Sequence, residues 1–195
     1  MTTSAKASGL TPSRRYGSRP NSAGTNTQYP IASGYASNIF TGDLVRVSAG
    51  NLHVITCTTE YVWGVFQGCY YETNGEPNWS RYWPTGTSAS NAYGIISDDP
   101  QTVYEVQADA SVSVGDVNSY NFDVVVGAGS TTTGQSGFAL DGDSRHIAQR
   151  MTRVVGWVDE PGNDINVSAE RAFEIVEVKL IQHFDRFGAI GVSAR

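Results

Sequence analysis

The chain has 195 residues, 39% of them apolar and 16% charged, and a net charge of -6. That length suits one domain with a sizeable core and is short for two. No apolar run reaches the roughly 18 residues of a membrane-spanning helix, and the first residues lack the apolar stretch of a secretory signal.

Glycine is abundant at 21, lysine occurs only at Lys6 and Lys179, and Thr, Ser, Val and Tyr are frequent. Few helix formers and many β-branched or aromatic residues predict an all-β domain with many turns. The charge is uneven. Residues 1–30 hold four cations (Lys6, Arg14, Arg15, Arg19) and no acid, which leaves nine basic and nineteen acidic side chains, a net of -10, elsewhere. So acidic a body repels nucleic acid and anionic membranes at long range, so neither is expected as a partner.

Residues 1–35 are rich in Ser, Thr, Asn, Gly and Pro. Such a segment cannot offset its ordering entropy alone and reads as an extended basic arm, with residues 36–195 as the body. Leu10, Tyr16, Tyr29 and Ile31 are spaced as anchors, with Arg14, Arg15 and Arg19 among them. These seven residues are the candidate contacts to a partner's groove.

Residues 38–57 read as two short strands around the turn Ala49-Gly50-Asn51. "YVWGVFQGCYYET" (61–73) is a long aromatic strand in which Gly64 and Gly68 predict bulges or bends. Residues 74–91 read as a polar loop carrying Trp79, Tyr82 and Trp83. Aromatics there either contact a protein or glycan partner or fold under the loop and plug the end of a barrel. "AYGIIS" and "TVYEVQAD" read as strands around Asp98-Asp99-Pro100, and 129–137 as a loop. Residues 146–160 mix helical and strand spacing. In 171–184 Val176, Val178 and Leu180 alternate with Glu177 and Lys179, a strand pattern. Short segments at roughly ten-residue spacing predict a small antiparallel barrel or a sandwich with long loops.

Motifs for chemistry are scarce. "GQSGF" (134–138) is not a nucleophile elbow, and His53, His146 and His183 are scattered. "SDDP" (97–100) and "LDGDSRH" (140–146) read as turns rather than metal loops. Cys57 and Cys69 have no metal-binding spacing; they read as small buried residues on strands, and a disulfide between them is left open. No catalytic residue, cofactor or metal is expected.

"NIFTGDLVRV", "VWGVFQGCYYET", "YWPTGT" and "VYEVQAD", following the basic arm, resemble the head decoration, or cement, proteins of marine tailed bacteriophages. The resemblance rests on Gly42 to Val45 and on Gly64 to Gly68, and covers residues 36–126 in texture. It implies a β-barrel or β-tulip body on the outside of an icosahedral capsid, often as a homotrimer, binding the major capsid protein without catalysis. The arm would bridge neighbouring capsid subunits. The alternative is a carbohydrate-binding or host-attachment module of the virion using Trp79, Tyr82 and Trp83.

Overall fold

The structure, a computed structural model, describes residues 7–16, 26–57, 60–158, 163 and 173–186. In chain order its strands are β1 (Thr11–Arg15), β2 (Asn26–Pro30), β3 (Ile39–Phe40), β4 (Leu44–Ser48), β5 (Asn51–Val54), β6 (Gly64–Thr73), β7 (Glu76–Ser80) and β8 (Tyr82–Trp83). They continue with β9 (Ser90–Ser97), β10 (Thr102–Gln107), β11 (Asn121–Phe122), β12 (Val124–Val125), β13 (Ala139–Leu140), β14 (Thr152–Trp157) and β15 (Ile175–Leu180). Among the described residues the helical segments are two 3-10 turns, Val114–Asp116 and Phe184–Arg186, and no helix is long and apolar enough to cross a membrane.

The strands form two main antiparallel sheets. The first has the order β1-β10-β15-β14-β11. The second has the order β2-β9-β6-β4-β5, with β7 pairing the far half of β6. Two ribbons, β3–β8 and β12–β13, complete the fold. The chain is therefore all-β, as its composition predicts. Among the described residues its main sheets are open and sandwich-like, and they do not close into a barrel.

Strand alternation explains the packing. Adjacent residues of a strand point to opposite faces. Leu44 and Val65 enter one core with Tyr104, Val154, Val176, Val178 and Leu180 of the first sheet. Their neighbours Val45 and Phe66 enter a second core with Leu52, Ile96, Ile39 and Trp83. The middle of the second sheet is thus buried on both faces, and its β4 and β6 read as apolar runs rather than clean alternation. β15 has one buried face, Val176, Val178 and Leu180, and the two-residue period expected of it holds.

Two turns follow from local chemistry. Ala49 and Gly50 have φ of 48° and 78° and close the β4–β5 hairpin where expected. The pairing of β6 with β9 slips between Phe66 and Gly68, which places the bulge expected at Gly68.

The N-terminal segment differs from the sequence reading. Residues 7–16 and 26–35 are not an arm apart from a body. β1 pairs β10 at one edge of the first sheet, and β2 pairs β9 at one edge of the second. Leu10 is 1% exposed within the first core, and Ile31 is buried in the second. Gly9 and Gly42 lie back to back: a Cβ on Gly9 would come within 2.6 Å of the Gly42 carbonyl oxygen, and Gly42 holds φ at +96°. The physical reason is that an edge strand is held by backbone hydrogen bonds, which require no apolar side-chain pattern.

Residues 74–91 also differ. β7 and β8 occupy part of this stretch. Asn74 and Gly75, at φ of 54° and 81°, form the tight turn of a β6–β7 hairpin. An Asn-Gly pair between two aromatic segments is a hairpin signal that the polar composition of 74–91 obscures.

Candidate functional site

β7, β6 and β9 lie side by side and bring three aromatic residues into one row. Trp79 pairs with Tyr70, and Tyr70 pairs with Tyr93, whose other neighbour is Pro30 on β2. Cys69 points into the second core, so Tyr70 next to it points to the opposite face. The Tyr70 and Tyr93 rings stack with centroids 5.1 Å apart, and Trp79 stands edge-on to Tyr70 at 4.9 Å. Trp79 is 67% exposed, an expensive position for an indole.

A polar edge borders the row. The Tyr70 hydroxyl donates to Glu72 Oε1 at 2.8 Å, and Asn91 Nδ2 donates to Glu72 Oε2 at 2.9 Å. These bonds hold the Glu72 carboxyl below its ordinary range, Tyr70 contributing most, and the same bond raises the Tyr70 phenol. A fixed carboxylate beside stacked rings can recognise hydroxyl or amide groups lying over the rings.

The three aromatics singled out in the sequence do not form one surface. Only Trp79 is on the exposed row. Tyr82 stacks on Phe40 at 5.5 Å, and Trp83 is fully buried, edge-on to Tyr71. Trp83 as a partner contact is therefore corrected: β8 pairs β3, and this turns the indole into the second core. Tyr70 and Tyr93 were missed because they lie 23 positions apart and only strand pairing brings them together.

The residues assigned to arm contacts are mostly engaged within the chain. Arg14 donates through Nε and Nη2 to both oxygens of Glu177, and Arg15 pairs with Asp99 at 3.0 Å. Lys179 Nζ sits 4.3 Å above the Tyr16 ring. The Tyr29 hydroxyl accepts from Trp63 Nε1 at 2.8 Å and donates to Asp98 at 3.1 Å. Leu10 and Ile31 are core residues. Arg19 lies outside the described residues. As contacts to a partner, Leu10 and Ile31 are thus corrected, because both are buried in the chain's own cores.

The remaining polar clusters are structural. Asp98 accepts from Thr27 and Tyr29, and Asp99 accepts from the Gln101 amide. Asp141 accepts from the Asp143 amide in a turn, and Asp123 faces His146 and Arg150. Among the described residues no group of three or more His, Cys, Asp or Glu is arranged to hold a metal ion. Cys69 is buried on β6 as expected, and its thiol is pushed up to about 12 by that burial, whereas Cys57 is exposed beyond the end of β5, not buried on a strand; no disulfide joins them.

A concavity of about 320 Å³ opens between the end of β5 and residues 126–131. Its walls include Phe40, Val54, Ile55 and Phe138, and among the described residues Asp43 is the one ionisable residue lining it. Asp43 is 2% exposed; its Oδ2 accepts from the Phe40 amide at 2.8 Å, and the buried Ser136 hydroxyl also bonds the carboxyl. Burial pushes the carboxyl up to about 6.

No protein-family model, curated protein or solved structure matches this chain.

Proposed function

We propose that this protein is a non-catalytic decoration module of a phage head, docking on the major capsid protein from the outer surface of the virion. The reading begins with the resemblance of "FTGDLVRV" and "VWGVFQGCYYET" to cement proteins. The structural observation that carries it is the row in which exposed Trp79 stands beside the half-buried Tyr70 and Tyr93 on one sheet face. Exposed aromatics on rigid strands make good anchors, because little side-chain entropy remains to be lost on docking. The acidic body keeps particles apart in solution.

The attachment differs from the arm mechanism implied by the sequence. Strands β1 and β2 serve the chain's own sheets, so docking is assigned to the aromatic row. Self-association as a homotrimer would place three rows on one assembly and raise avidity through effective concentration. Selectivity for the expanded shell requires a difference in affinity between the two shell states.

The test is cosedimentation of the protein with expanded and precursor shells. Saturable binding to expanded shells, lost in Trp79→Ala with unchanged melting temperature, supports the reading. Equal binding by Trp79→Ala, or no binding to either shell, overturns it.

One observation favours a second reading. Glu72, fixed by Tyr70 and Asn91 at the border of the aromatic row, suits a sugar stacked on the rings with a hydroxyl donating to the carboxylate. A virion carbohydrate-binding or host-attachment module would give glycan-array signals that Trp79→Ala and Glu72→Gln both abolish.

A further inference from the structure

β7 is an edge strand, and the parity of its pairing fixes what that edge offers. Among the described residues it pairs with β6 alone. Asn74 and Gly75 close the β6–β7 hairpin as a two-residue turn, so Thr73 and Glu76 form the hydrogen-bonded pair next to it. Bonded and non-bonded pairs then alternate along an antiparallel ladder. Tyr71 with Asn78 is a bonded pair, whereas Glu72 with Pro77 and Tyr70 with Trp79 are not. The main-chain groups of Pro77 and Trp79 therefore point away from β6. Proline has no N–H, so the outer edge presents the Trp79 N–H and the carbonyls of Pro77 and Trp79. Among the described residues none of these three groups has a backbone partner.

Side chains along the edge specify what can pair there. Pro77 and Trp79 are exposed, and Trp79 stands on the same face as Tyr70 and Tyr93. A strand added beside β7 places one residue directly opposite Trp79, with Cβ atoms about 4.5–5.5 Å apart. An aromatic side chain there extends the row by one ring. The residue two positions later, opposite Pro77, shares its face with Glu72, with only the Pro77 ring between. Glu72 is half-buried and accepts one bond on each oxygen, while a carboxylate has about four acceptor sites. A lysine or arginine opposite Pro77 reaches it across one strand, as Arg14 reaches Glu177 over β10.

We propose that β7 accepts an extended segment of a partner protein as an added antiparallel strand, with an aromatic side chain against Trp79 and a cationic one two residues later facing Glu72. This rests on the reading that the aromatic row docks on another protein, and it names the form of what docks. Antiparallel pairing matches the other strand pairs of this sheet and is slightly more stable per residue than parallel. A cationic segment is the electrostatic complement of a chain that carries a net of -10 beyond residue 30. Backbone bonds to the edge supply affinity, and the two side chains set the register.

The test uses the isolated full chain and the end-capped peptide Gly-Thr-Val-Tyr-Thr-Lys-Thr-Gly, so its outcome does not depend on any shell. Amide NMR shifts and amide hydrogen exchange are followed with and without peptide. Saturable shifts are expected at Asn78, Trp79 and Ser80, with exchange of the Trp79 amide slowed about tenfold or more at saturation. The same peptide N-methylated at its tyrosine lacks the donor to the Trp79 carbonyl and should bind about tenfold more weakly or worse. Replacing the peptide's lysine by glutamate should weaken binding about fivefold. Trp79→Ala, which removes the ring opposite the tyrosine, should weaken it about five- to tenfold.

Binding undiminished by N-methylation or by the glutamate exchange would overturn the assignment, as would the absence of saturable shifts at millimolar peptide. A Trp79 amide already protected in the dilute chain would put one of the chain's own segments on the edge. Protection that appears only on concentrating the protein would put a second copy there, and either outcome rejects a partner strand. Peptide addition at β7 together with failure of shell binding would retain the edge and reject the capsid as the partner. Shell binding lost in Trp79→Ala, with no peptide addition, would retain the docking surface and reject the added strand.

Discussion

Arg14 and Glu177 lie 163 positions apart and meet at two points, Nε to Oε1 at 2.9 Å and Nη2 to Oε2 at 2.6 Å. The pair spans three strands. Arg14 is on β1 and Glu177 on β15, with β10 between them. The guanidinium therefore ties the edge strand to the sheet interior over the top of its neighbour.

The N-terminal strand is accordingly part of the folded unit. Arg14→Ala is expected to cost about 1–3 kcal/mol, since it leaves Glu177, mostly buried, without its charged donor. Leu10→Ala should cost about 2–5 kcal/mol as a core cavity. Deleting residues 1–16 removes both, and is expected to abolish cooperative urea unfolding or lower the midpoint sharply. An unchanged midpoint would restore the independent arm.

Gly42 sits where the chain passes closest to itself. A Cβ there would lie 2.9 Å from the Ser8 carbonyl oxygen and 3.0 Å from the Gly9 Cα, with φ already at +96°. Gly42→Ala thus combines about 1–2 kcal/mol of left-handed strain with displacement of backbone. Gly50, at φ +78° with open space around it, isolates the strain alone. Thermal unfolding should show Gly42→Ala clearly less stable than Gly50→Ala; equal losses would mean that residues 8–10 do not pack there.

Trp79 and Trp83, four positions apart, should behave oppositely. Trp83→Ala removes a fully buried indole and is expected to cost about 3–5 kcal/mol. Trp79→Ala removes an exposed one and should stay within about 1 kcal/mol. Chemical denaturation of the two variants measures the difference directly.

Asp43 makes stability depend on pH. Its folded value, pushed up to about 6 by burial, exceeds the ordinary value of about 3.9. Between these values the folded state holds a proton that the unfolded state has released, so stability falls as pH rises. The loss amounts to about 2–3 kcal/mol and is complete above pH ~6–7. Asp43→Asn lacks this titration, so the variant should gain on the wild type between pH 4 and pH 7, as measured by urea midpoints across that range. A constant difference between the two would place the Asp43 carboxyl in water.

Much of this protein was legible locally. Strand periodicity in β15, the turn at Ala49-Gly50 and the bulge at Gly68 depend on neighbours within a few residues, and the sequence contains those neighbours. The all-β class follows from the same short-range chemistry.

Only the tertiary structure decided which strands pair. β1 and β2 are polar and short, yet each completes a sheet through backbone hydrogen bonds, an interaction that leaves no mark on side-chain composition. Trp79, Tyr70 and Tyr93 form a row, and Asp43 becomes a buried carboxyl, because distant segments fold against them. Sequence determines what each residue can do over a few positions. Long-range register and packing determine which of those capacities is buried, satisfied or left facing a partner.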